Sequence, residues 1–136
     1  MGKYLDANGL AYAWGKIKSY VDSTVAPTPT EENITSQVVA TTTGTRESAS
    51  VIKYGKTIHF NLTFTNNSSM ASGSNVFVGT INKYRPMITA IGVTYYSSHA
   101  LVMSINPNGN IIIRNTGSTA VKCELSTTVS ATWVIS

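Results

Sequence analysis

The chain has 136 residues, ten lysines and arginines against six acids, a formal net charge of +4 and only 12% charged residues. This length suits one modest domain with an appendage, and the charged share lies well under the roughly 25% of an average soluble domain. Either Ser, Thr, Asn and Gly coat the surface, or much of it is buried against other chains. The basic residues form no run or cluster, which excludes a nucleic-acid patch. No apolar run approaches the ~18 residues of a membrane span, and the single Cys123 excludes an internal disulfide framework.

In chain order, residues 1–23 read as an amphipathic helix. The opening MGKYLD is too polar for a signal peptide, so the chain is expected to be made in the cytoplasm without a visible export signal. Asp6 is a good N-cap, and Leu5 with Leu10 has the spacing of a hydrophobic staple. Leu10, Trp14, Ile17 and Val21 follow at spacings of four, three and four, which places them on one narrow stripe. Such a segment is roughly 24 Å long at ~1.5 Å per residue, a length at which an isolated helix is marginal in water. It needs a partner, and a heptad-like stripe suits a short parallel bundle with copies of itself.

Residues 24–35, with Pro27 and Pro29, two acids and no periodicity, read as an extended linker. From residue 36 to 136 the chain alternates. In KTIHFNLTFT, Ile58, Phe60, Leu62 and Phe64 fall on one face and Thr57, His59, Asn61, Thr63 and Thr65 on the other. NNSSMASGSN then reads as a polar loop. Short strands follow in NVFVGT, MITAIGVTYY, HALVMSIN, NIIIRN, TAVKCELS and VSATWVIS, with tight hairpins expected at Tyr54–Gly55 and at NPNG, 106–109. Eight or nine short strands with turns between them predict a mainly β protein, an antiparallel β-sandwich or jelly roll behind one N-terminal α-helix.

Cys123 alternates with Val121 and Leu125, so the three are expected to face the core together, the cysteine as an inert buried thiol. Trp133, alternating with Val129, Ala131 and Ile135, is likewise expected in the core. NIIIRN and HALVMSI are apolar on both faces, through Ile112 opposite Ile111 and Ile113, and Val102 opposite Leu101 and Met103. A sheet solvated on one side does not have this pattern; a second buried face against a neighbouring subunit explains it, and a covering loop is the alternative.

Two segments carry a resemblance. YLDANGLAYAWGKIKSYVD, with Leu5, Asp6, Gly9, Leu10, Trp14, Lys16, Ile17, Lys18, Tyr20, Val21 and Asp22, resembles an N-terminal segment of tail and baseplate proteins from phages and prophages of Gram-positive bacteria. FVGTINKYRP, through Val78, Gly79, Thr80, Tyr84, Arg85 and Pro86, is similar to a segment of phage receptor-binding heads. The resemblance implies a homotrimeric β-sandwich head under a helical neck, located in the virion, working beside other tail or baseplate proteins and adhering to a bacterial surface saccharide. No saccharide-contacting residue carries over from it.

Tyrosine faces stack on sugars while amides, hydroxyls and imidazoles give directional hydrogen bonds. Tyr95, Tyr96 and His99 cluster at one strand end and form the first candidate site, with Tyr84 and Arg85 the second. The competing reading has one of Tyr95 and Tyr96 capping the core edge and the other lying on the surface, with Tyr84 packed over Pro86 and Arg85 paired structurally. Catalysis is not expected. Only Glu47 and Glu124 lie in the β-domain, whereas a glycosidase needs two carboxyls ~5 to 9.5 Å apart. His59 and His99 have no partner at metal-ligand spacing, and no cofactor is implied. Two functions are therefore carried forward: a trimeric receptor-binding head, and a purely structural trimeric tail or baseplate piece.

Overall fold

A computed structural model describes residues 7–24, 29–40 and 46–136. Its N-terminal element, α1, is the 18-residue helix Ala7–Thr24. Asp6 and Leu5, expected as cap and staple, lie outside the described residues, as does the side chain of Val21. Leu10, Trp14 and Ile17 are 60, 65 and 56% exposed. On the neighbouring surface Lys16 Nζ sits 5.5 Å from the centre of the Tyr12 ring, one helical turn away. Leu10, Trp14 and Ile17 form an apolar stripe that is left exposed among the described residues.

Nine strands follow among the described residues: β1 (Glu31–Asn33), β2 (Val38–Ala40), β3 (Arg46–Tyr54), β4 (Thr57–Met70), β5 (Asn75–Ile81), β6 (Ala90–Tyr96), β7 (His99–Ile105), β8 (Asn110–Asn115) and β9 (Val121–Val134). They make two antiparallel sheets, ordered β1-β3-β4-β9 and β2-β5-β8-β7-β6. Ile58, Phe60, Leu62 and Phe64 of β4 point inward from the first sheet, and Leu101, Met103, Ile105, Ile111 and Ile113 point inward from the second. These side chains form one core, the defining feature of a sandwich. Trp133 belongs to it: its ring lies 6.3 Å from that of Phe60, and its Nε1–H donates to the Tyr84 carbonyl at 2.7 Å. Cys123 is fully buried, and burial pushes its thiol pKa up.

Both expected hairpins are present. Gly55 takes φ +60° between β3 and β4. At NPNG, Gly109 takes φ +93°, and its N–H donates to the Asn106 carbonyl at 2.8 Å.

Several boundaries differ from the sequence reading, each for a local reason. Residues 31–34, read as linker, belong to the sandwich: β1 pairs with β3, and the buried Ile34 donates its N–H to the Val51 carbonyl at 2.9 Å. NNSSMASGSN is not wholly a loop, because β4 continues to the buried Met70 through an irregularity in its pairing with β9. There Asn66 Oδ1 accepts the Ser68 N–H at 3.2 Å, so the amide replaces part of the broken ladder. TAVKCELS and VSATWVIS form one strand, β9. Leu125 does not join Val121 and Cys123 in the core. Phe64 faces Thr127 while Asn66 faces Cys123, so the intervening residues of β9 bulge, and Leu125 projects into solvent.

The outer faces of the two sheets differ in chemistry. Across the first, register brings Thr63 opposite Thr128, Asn61 opposite Ser130 and His59 opposite Thr132, and each pair is hydrogen-bonded. This is a solvated face built from neutral polar residues, which accounts for part of the low charge. Across the second, one row runs Asn75, Arg114, Val102, Val93 and the next Phe77, Ile112, Ser104, Ile91, with no loop of the described chain covering the apolar members.

Candidate functional site

The first sequence candidate sits on the β6–β7 hairpin. Tyr96 pairs with His99 across the two-residue turn Ser97–Ser98, where both serines have positive φ, 47° and 67°, as a type I′ turn requires. Alternation along β6 then separates the two tyrosines. Tyr95 points out and is 73% exposed, with no hydrogen bond from its hydroxyl among the described residues. Tyr96 packs against the core, and its hydroxyl accepts the N–H groups of Glu124 at 3.1 Å and Leu125 at 3.3 Å, closing off the β9 bulge.

His99 is equally occupied. Its Nδ1 lies 2.8 Å from the Ser97 carbonyl, an acceptor, so Nδ1 carries the proton and donates. Nε2 and the Thr119 hydroxyl are hydrogen-bonded at 2.7 Å. The ring lies close against Gly117, where a Cβ would come within 2.6 Å of His99 Cδ2. His99 and Tyr96 thus hold the turn and the neighbouring loops, and of these three residues Tyr95 is the one whose ring stands exposed.

The second candidate lies at the other end of β6, about 20 Å away for a seven-residue strand. Tyr84 holds φ +60°, its ring faces Lys53 Nζ at 5.6 Å, and its carbonyl receives the Trp133 indole. Arg85 Nε donates to the Ile81 carbonyl at 3.2 Å. The fold therefore does not bring Tyr84 and Arg85 together with Tyr95, Tyr96 and His99.

Two surface features were missed by the sequence reading. One is an apolar flank where β6 passes β9: Met87, Ile88, Ile91 and Val134 are exposed around a depression of about 500 Å³. The stretch MITAIGVTYY was read as strand throughout, but residues 87–89 precede β6, and Met87 and Ile88 stand out from it. The other is a groove of about 570 Å³ on the outer face of the second sheet. Val102 and Ile112 form its floor, and Asn75, Ser104, Asn106 and Arg114 supply polar groups around it. Alternation within β7 and β8 displays these residues on one face. That Asn75 of β5 stands directly opposite Arg114 depends on strand order, which alternation does not encode.

The titratable groups are sparsely placed. Glu124 is exposed and pairs with Lys122 at 2.9 Å, and that hydrogen bond and charge hold its carboxyl below the usual range. The side chain of Glu47 lies outside the described residues. Among the described residues no three metal-capable side chains gather, and no helix is long and apolar enough to cross a membrane. No protein-family model matches the chain, and no curated protein matches it.

Proposed function

We propose that this chain is a homotrimeric phage or prophage tail or baseplate protein whose β-sandwich head adheres to a saccharide of the bacterial surface. The observation that carries the proposal is the pair of apolar surfaces left open by the fold: the Leu10, Trp14, Ile17 stripe on α1 and the Met87, Ile88, Ile91 flank beside β6. An amphipathic helix and a sandwich flank of this kind gain hydrophobic stabilisation when copies of the chain cover them. The helix serves as neck, with Val21 extending its seam, and three copies raise weak single-site adhesion by avidity. The chain works in the virion with other tail proteins and without a catalytic step.

A second reading, a structural trimer with recognition elsewhere, is favoured by the internal roles of Tyr96 and His99. One pair of measurements separates the two. Light scattering on the full chain should give three times the monomer mass, and the chain should sediment with purified Gram-positive cell walls. A trimer that binds none of a panel of wall polysaccharides supports the structural reading, and a monomer at micromolar concentration overturns both. A charge introduced at exposed apolar positions, Ile17→Glu and Ile91→Glu, should dissociate the assembly without unfolding the sandwich.

A further inference from the structure

We infer that the groove across β5, β8 and β7 binds an acidic sugar unit, with Arg114 engaging its anionic oxygens and Asn75 and Ser104 its hydroxyls. The inference rests on the saccharide-binding proposal and specifies the class of sugar and the place.

Four observations converge on it. The Arg114 side chain makes no ion pair or hydrogen bond among the described residues, and no acid is among the described residues lining the groove, so its charge is unmatched there. A guanidinium presents a planar fork of donors that fits phosphate or carboxylate with two hydrogen bonds. Asn75 of β5 is the direct cross-strand partner of Arg114, and Ser104 of β7 is the partner of Ile112 two residues along, so the three stand on consecutive strands, Asn75 and Ser104 about 12 Å apart on either side of β8, a span covered by a sugar with its charged substituent and the side chains that reach it. Neither Asn75 nor Ser104 has a side-chain hydrogen bond within the described chain. The floor of Val102 and Ile112 is apolar and half-buried, which suits the C–H face of a pyranose.

The wall of the groove is preformed. Ser72 Oγ donates to the Gly117 carbonyl at 2.6 Å, Gly73 N–H to the Asn115 carbonyl at 2.8 Å, and Asn115 N–H to the Ser74 carbonyl at 3.1 Å. Gly73 adopts φ +74° in this turn, and the Arg114 Nη2 atom lies 3.9 Å from where its Cβ would be, which places the guanidinium against the wall. A site held by backbone bonds loses little entropy on binding, and its volume falls in the ordinary range for small-ligand sites.

The test is a titration of the full-length, isotope-labelled chain with glucose 6-phosphate and with glucuronate, using glucose and inorganic phosphate as controls. At least one acidic sugar should shift the amides around Asn75, Ser104 and Arg114 and bind roughly tenfold more tightly than glucose or phosphate. Which acidic sugar does so distinguishes a phosphate-bearing from a uronic-acid source. Arg114→Gln should abolish the advantage, Arg114→Lys should keep part of it, and Ser104→Ala should weaken binding of the acidic sugar that binds. Equal binding of glucose, equal binding of bare phosphate, an unaffected Arg114→Gln protein, or no shift with any probe would each overturn the inference. Cell-wall sedimentation separates its failure from that of the broader proposal. Wall binding that survives Arg114→Gln discards the groove and keeps the attachment function, whereas acidic-sugar binding without wall binding keeps the groove and discards that function.

Discussion

Asn115 shows how one side chain can join three segments. It is fully buried at the end of β8; its Nδ2 donates to the carbonyls of Met70 and Thr119, each at 2.9 Å, and its Oδ1 accepts the Gly117 N–H at 2.9 Å. Replacing it with Ala strands the buried Met70 carbonyl at the end of β4, at about 1–3 kcal/mol, and frees the part-buried Gly117 and Thr119 groups of the loop after β8. We expect Asn115→Ala to destabilise the chain by about 3 kcal/mol, read as a lower urea midpoint at an unchanged slope. Cys123 gives a second prediction. Its folded pKa is raised, so above about pH 8.5 the unfolded thiol loses its proton before the folded one does. The folded state then holds more protons, so stability falls as pH rises through this range, and Cys123→Ser should flatten that part of the pH profile. A thiol reagent should leave the native cysteine unmodified and react on unfolding. The burial of Cys123 was legible from its alternation with Val121; the role of Asn115 was not, because its partner Met70 lies 45 positions away.

At the level of elements, alternation was a sound guide wherever the ladder is regular and misled wherever it breaks. Ile58 to Phe64 face inward as their spacing requires, since register with β9 is unbroken there. Leu125 and the NNSS segment were misread because two bulges in the same pairing shift the inward set, and a bulge leaves no mark in a hydrophobic pattern. Strand order was equally hidden, and with it the groove, which exists only because β5 lies beside β8. Close contact between the two sheets depends on one position. A Cβ on Gly92 would fall 2.0 Å from the Ser130 carbonyl oxygen and 3.1 Å from a Val129 methyl, so β6 approaches β9 only because residue 92 has no side chain. Gly92→Ala must push the edges apart, and overpacking of this kind costs about 1–3 kcal/mol. We expect a fall in melting temperature together with faster amide exchange in β6 and β9. Tyr95→Ala, on the exposed face of the same strand, should leave both unchanged.

For the whole molecule, the distribution of apolar surface matters more than its amount. The sandwich buries its inner faces, and the polar ladder of β4 and β9 wets one outer face, yet the helix stripe and the β6 flank remain in water. The sequence displayed the first, as a stripe without a partner, but not the second, because the strands it showed as apolar on two faces are β7 and β8; in neither case does a single chain's pattern say what covers the surface. The helix is the more informative test because its own stability is predictable. Its 18 residues span about 27 Å, carry Gly15 in the interior, and have neither an acid in the first turn nor a base in the last to oppose the macrodipole. Alone in water such a segment is mostly unfolded. If copies of the chain cover Leu10, Trp14 and Ile17, helix content is linked to association and must fall on dilution, while the sandwich, whose core lies within one chain, keeps its β signal. Far-ultraviolet circular dichroism from high micromolar to nanomolar concentration should therefore show a loss of helical signal with a single midpoint, and Trp14→Ala should move that midpoint to higher concentration. A helical signal that does not change over the whole range, in a protein whose mass stays that of one chain, would mean that the helix is held by its own sandwich and that the neck does not exist.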